Sequence, residues 1–255
     1  MPAFFSALIG WGVGALVNYL SDVLPWRRRL VHPFCASETC QKPIPWINYL
    51  FLPRRCPSCG RRRGWRAWLV EAVFIILAIL LWRQPVEHLG FWGGLLLLAY
   101  FGVVVVIDME YRLILHPVSL FGAVMCLALG AYLHGFWDTL LGGAVGFGVM
   151  LALHGLGALW LKLASRRRGE AVDDVALGFG DVNLGGVIGL LLGYPGILGG
   201  LMLAVFLGGL VSLIVILVML ILRRYNRFAA LPYGPFLVAG AVILIFLRQA
   251  LQSLF

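Results

Sequence analysis

Charge is scarce in this chain: 12% of its 255 residues are Asp, Glu, Lys or Arg, against roughly 25% in soluble domains. That poverty excludes an ordinary water-soluble domain. The first apolar run has no basic flank on its N-terminal side and no small-residue cleavage site, so no cleavable signal peptide is expected. The two halves show no internal repeat, which weighs against a transporter built from inverted repeats.

What the chain has instead is apolar surface. Its residues are 62% hydrophobic, and its mean hydropathy is +0.95. The class this defines is an all-α polytopic membrane protein. The formal charge of +9 raises the possibility of nucleic acid, but the basic residues are divided among short loops between apolar runs. That is how membrane topology is encoded, and no nucleic-acid partner is expected.

Runs able to cover about 30 Å of hydrocarbon at about 1.5 Å per residue predict about eight transmembrane helices. They lie near residues 3–24, 67–82, 91–107, 117–134, 139–162, 182–193, 197–222 and 234–253. The sixth is short and ends at Gly193-Tyr194-Pro195-Gly196, a tight-turn sequence. With eight spans, 18 of the 20 Lys and Arg fall in the odd-numbered connections, leaving Arg83 and Arg248 on the other side. The positive-inside rule then puts the odd connections in the cytoplasm and both termini outside. Three regions follow: a first span (1–24), a cytoplasmic loop (25–66) and a seven-helix membrane core (67–255).

The cytoplasmic loop holds four of the five cysteines, as Cys35-x4-Cys40 and Cys56-Pro57-Ser58-Cys59-Gly60. Two knuckle-like pairs on the reducing side of the membrane suit a tetrahedral structural zinc, making this a small zinc-ribbon-like loop; free thiols are the alternative. Cys126, inside the fourth span, reads as a packing residue.

Acids at membrane depth are expensive and point to sites. Asp22, Glu71, Asp108, Glu110, Asp173, Asp174 and Asp181 lie toward cytoplasmic ends of spans, whereas Glu87 and Asp138 lie on the outer side. Asp108 closes the third span, and Asp181 opens the sixth within Gly178-Phe179-Gly180-Asp181-Val182-Asn183. Two carboxylates brought together there would share a proton, one acting as general base on water while the other polarises a peptide carbonyl. On residues alone, each also reads as a helix cap or a solvated interfacial charge. Asp173 and Asp174 read as a solvated loop run. Gly10-x-Gly12-x-Gly14, Gly142-Gly143, Gly146, Gly148 and Gly208-Gly209 read as helix-packing surfaces, not as a nucleotide fingerprint.

Several of these segments together resemble the bacterial type IV prepilin peptidases, a GxGD class of intramembrane aspartic protease. They are Gly14-Ala15-Leu16-Val17-Asn18 with Pro25, the paired cysteines, Leu69-Val70-Glu71, Ile107-Asp108-Met109-Glu110, Gly178-Phe179-Gly180-Asp181-Val182 and Pro232-Tyr233-Gly234-Pro235-Phe236. The resemblance implies a multi-pass enzyme of the bacterial inner membrane. Its partners would be membrane lipid and pilin-like or pseudopilin precursors, whose short basic leader it cuts off on the cytoplasmic side. It implies Asp108 and Asp181 as the catalytic pair, zinc on Cys35, Cys40, Cys56 and Cys59, and, as in many members, S-adenosylmethionine-dependent N-methylation of the new N-terminus. The chain departs from the pattern at Asn183, where a Lys is common, at His116-Pro117, and at Ala15 in place of Ser. The first two bear on substrate contacts. Ala15 and the wide Cys35–Cys40 spacing bear on methylation. His116 is read as an interfacial histidine. A basic leader would be met by Glu71, Glu110, Asp173, Asp174 and anionic lipid. A non-enzymatic transporter or assembly scaffold with a zinc-stabilised loop is the alternative from another class.

Overall fold

The computed structural model describes residues 3–35, 40–51, 53–168, 178–222 and 232–252. Asp173 and Asp174 lie outside the described residues. Among these, nine α-helices and no strand occur, in the order α1 (Ala3–Arg27), α2 (Trp46–Leu50), α3 (Arg66–Arg83), α4 (Gly90–Tyr111), α5 (His116–His134), α6 (Phe136–Arg168), α7 (Phe179–Leu192), α8 (Gly196–Ile221) and α9 (Gly234–Gln252). Each of the eight expected apolar runs lies on a helix. Five of these helices, α1, α4, α5, α6 and α8, are long and apolar enough to cross a membrane. The segments Phe179–Leu192 and Gly234–Phe246 are shorter apolar helices, and α3 carries Arg66, Glu71 and Arg83 within its 18 residues.

Helix ends differ from the expected boundaries for identifiable reasons. α6 runs on to Arg168 because Lys162 to Arg168 contains no Gly or Pro, and Lys, Leu, Ala and Arg favour helix. α4 continues through Asp108 to Tyr111 and stops at Arg112, whose φ of 52° is left-handed. The ninth helix, α2, is a single turn entered from Pro45 and too short for an apolar period to reveal.

The chain divides into two compact units, Met1–Ile107 and Asp108–Phe255. In the first, α1 packs on α3 through Gly10 and Gly14. A Cβ at Gly10 would lie 2.7 Å from the Ala78 Cβ, and one at Gly14 would lie 2.8 Å from the Glu71 Cα. These two glycines are therefore the contact surface the sequence suggested, whereas Gly12 faces open space. Val17, Phe74, Ala78, Leu97 and Phe101 form the interior of this unit.

The second unit is built around α7. Ten of its 14 residues are buried, which fits a helix that is apolar on every side. α6 lies along it, with Gly142 and Gly146 against the backbone of Gly189 and Gly185, a small-residue approach that lets two backbones touch. Protein, not lipid, surrounds most of this 14-residue helix. At its end Gly193, with φ 63°, makes the tight turn into α8, and the Tyr194 N–H donates to the Asp138 carbonyl at 2.9 Å. α8 is the opposite case: it is the most apolar of the five long helices and the least buried. Its exposed Leu210, Leu213, Ile214, Leu217 and Ile221 are a face that needs hydrocarbon as solvent.

Candidate functional site

Asp108 and Asp181 both belong to the second unit, and both are buried, at 5% and 8% exposure. The two side chains are close enough to interact electrostatically. Local chemistry brings them there. Asp108 sits in the last turn of α4, and four residues, 112–115, connect that helix to α5. α7 begins against this connection at Gly180, where a Cβ would lie 2.8 Å from the Ile114 Cβ. Only glycine lets the first turn of α7 rest on Ile114, and that seat carries Asp181 to Asp108.

The register of α7 corrects one reading. Gly178, in extended backbone at ψ 144°, is the N-cap, and no side chain caps this helix. Asp181 lies in the first turn, its N–H donating to the Gly178 carbonyl at 3.1 Å. Its Oδ1 is buried without a hydrogen-bond partner among the described residues. An acid engaged in capping would have that oxygen satisfied by helix N–H groups. Asp108, by contrast, accepts a hydrogen bond from the Gly234 N–H at 3.1 Å, and Tyr233 lies within electrostatic reach of Asp181. The Pro232–Phe236 segment thus closes the site from the start of α9. Asn183, two residues past Asp181, is half-buried, whereas His116 at the first turn of α5 is exposed.

In the first unit, Cys35, Cys40, Cys56 and Cys59 gather with all four sulfurs within 4.8 Å of one another. Cys35 Sγ is 3.6 Å from Cys59 Sγ, and Cys40 Sγ is 3.8 Å from Cys56 Sγ. Thiolates about 2.3 Å from a tetrahedral zinc stand about 3.8 Å apart, so the cluster has the dimensions to hold such an ion. Two knuckles hold it. The Cys35 N–H donates to the Lys42 carbonyl at 2.9 Å, and the Cys56 N–H to the Arg61 carbonyl at 3.0 Å. Burial opposes ionisation of Cys56, but N–H groups of Cys59 and Ser58 directed at its sulfur, with the neighbouring thiols, bring its pKa down to about 7. Cys126 is fully buried in α5, as a packing residue is.

Glu71 does not serve as a leader contact. Its carboxylate is buried and paired with Arg54 at 2.8 Å, and it accepts the Trp11 indole N–H at 3.1 Å. Arg54 in turn donates to the Leu50 carbonyl at 2.8 Å and lies 4.0 Å over the Trp68 ring. Asp22 is likewise engaged, accepting from Tyr49 Oη at 2.6 Å, from Arg63 at 2.9 Å and from Arg66. Burial and the Asp22 charge push the Tyr49 phenol well above its usual range, so it remains a donor. These two clusters fasten the cysteine loop to α1 and α3. Sequence reasoning missed them, although Arg54 and Arg63, which flank the Cys56–Cys59 knuckle, mark where the loop carries its cations.

Long apolar helices, a buried pair of acids and a separate four-cysteine cluster define a multi-pass membrane protein with a polar site inside it. The model of the type IV leader peptidase family matches residues 95–213, and that of the bacterial peptidase A24 N-terminal domain matches residues 8–84. A prepilin leader peptidase/N-methyltransferase of Pseudomonas aeruginosa is 31% identical over 241 residues, covering 88% of this chain and 75% of the relative. The protein of that name from Pectobacterium carotovorum is 30% identical over 214 residues (82% and 71%), and that from Bacillus subtilis 25% over 231 residues (88% and 83%). No solved structure matches. The chain belongs to the type IV leader peptidase family.

Proposed function

We propose that this protein is an aspartic endopeptidase of the bacterial inner membrane that removes the leader from type IV prepilin-like or pseudopilin precursors, with Asp108 and Asp181 as its catalytic pair. The observation that carries the assignment is the pair itself: two acids, each less than one-tenth exposed and within electrostatic reach of one another, inside an apolar helical unit. Like charges so placed favour a shared proton. The ionised member takes a proton from water as it attacks the scissile carbonyl, and the protonated member donates to the carbonyl oxygen. Family membership does not favour the transporter or scaffold alternative. In an eight-span reading, the positive-inside count assigns the cysteine loop and both aspartates to the cytoplasmic face, where a precursor held by its apolar helix would present its cleavage point. Exposed Glu110 and anionic lipid are the groups we assign to the basic leader. Co-expression with a pilin-like precursor in a host lacking its own leader peptidase tests the activity. Shortening of the precursor is expected, and precursor that stays full-length contradicts it.

The four cysteines are assigned a structural zinc, which ties the two knuckles together. Cys56→Ser should purify without the metal that wild type carries; equal zinc content in the two would sink the four-thiolate site. The relatives' name includes N-methyltransferase, and the same activity with S-adenosylmethionine is proposed here. No residues are assigned to that cofactor, since Gly10 and Gly14 are filled by α3 and form no cradle for it. Asn183 should influence leader preference. Asn183→Lys is expected to change KM among precursors with different leaders while kcat stays near wild type; identical KM values across such a panel would remove it from the substrate path.

A further inference from the structure

The start of α9 contributes one group to the dyad that the Asp108 and Asp181 motifs do not contain. A helix leaves its first N–H groups without intrahelical partners, and here they can be accounted for one by one. The Phe236 and Leu237 N–H groups both turn back to the Tyr233 carbonyl, at 3.0 and 3.3 Å. Pro235 has none to give. The Gly234 N–H goes to Asp108 Oδ2 at 3.1 Å, across 126 residues of sequence. Gly-Pro at this helix start therefore directs a single backbone donor at the acid.

A second observation concerns space. A Cβ at residue 234 would lie 2.5 Å from Asp108 Oδ2 and 3.1 Å from its Cγ. The carboxylate thus rests directly on the glycine, in the volume that any other residue's side chain would fill. Next to it, Tyr233 lies within electrostatic reach of Asp181, so the same two-residue step faces both acids.

We propose that Gly234 is a positioning residue of the active site, its N–H and its missing side chain together fixing the Asp108 carboxylate in the orientation that meets Asp181. This rests on the dyad reading above. Gly234 touches no substrate; it acts through Asp108. A methyl group at 234 would push the carboxylate off its donor while leaving the helix intact, and a displacement of about 1 Å in a reacting group costs about 100-fold in rate.

The experiment compares Gly234→Ala with Gly209→Ala, a glycine of α8 whose Cβ would meet nothing within 4 Å. Both are purified in detergent and assayed on a pilin-like precursor. Gly234→Ala should lower kcat about 100-fold with KM and the thermal transition held, and Gly209→Ala should match wild type. A fall in kcat of less than about tenfold, or a defect confined to KM, overturns the inference. Should Gly234→Ala not fold, hydrogen–deuterium exchange of the peptide containing Gly234 decides. Early uptake rises by one amide in Asp108→Ala if the bond exists, and unchanged uptake overturns it. Failure of the two ideas is separable. Full activity of Asp108→Asn refutes the dyad, whereas an inactive Asp108→Asn beside a fully active Gly234→Ala refutes only the role of Gly234.

Discussion

Asp108→Asn and Asp181→Asn, made singly, are each expected to reduce precursor processing by at least about a thousandfold while the protein still purifies folded. Asparagine keeps the volume of the carboxyl group, and in Asp108→Asn it keeps an oxygen to accept the Gly234 N–H. What it removes is the capacity to take up or release a proton. The loss should be as large at either position because a dyad works as a unit: one acid without the other supplies a base with no electrophilic partner, or the reverse. Wild-type processing in either variant, with the thermal transition unchanged, would refute the pair. Surroundings make the prediction sharp, since both acids are buried and water cannot readily substitute for a missing group.

The second large effect concerns stability. Glu71→Ala should destabilise the first unit by about 3–5 kcal/mol, because it strands a buried guanidinium rather than deleting a surface bond. The Arg54 and Glu71 side chains are 6% and 4% exposed, and Arg54 is already committed to the Leu50 carbonyl and the Trp68 face. Glu71→Gln, which retains hydrogen-bonding oxygen, should cost less. The double variant Arg54→Met with Glu71→Leu should recover much of the loss, as apolar replacements of buried pairs do. Denaturant unfolding of the detergent-solubilised protein measures all three. A cost below about 1 kcal/mol for Glu71→Ala would show the pair to be no better than a surface bridge.

These two predictions also mark how far the sequence could be read. Apolar runs located eight of the nine helices, because a helix set in lipid or in a protein interior needs an apolar stretch that composition cannot hide. The four cysteines were recognisable because metal ligands come at short, characteristic spacings, and the gathered sulfurs agree with that reading. Asp181 was visible as a costly acid between glycines. Its register was not, since whether it caps α7 depends on where the extended backbone of Gly178 ends. Arg54–Glu71 was invisible because it needs the loop to fold back 17 residues onto α3, and no local pattern encodes that return. Glu71 was consequently misread as a group awaiting a ligand. The Gly234 contact lies further still from inspection: its donor is backbone, which leaves no mark of residue type except the absence of a side chain.

The central claim, that this membrane protein cuts a leader from a pilin-like precursor, is tested most directly by intact-mass analysis of such a precursor. It would be incubated with the purified wild-type protein in detergent, and the new N-terminus sequenced. The account predicts that the basic leader is lost in one piece, with the new N-terminus at the cytoplasmic edge of the precursor's apolar helix. A precursor mass unchanged by active, folded protein, or a cut within the apolar helix, would contradict it.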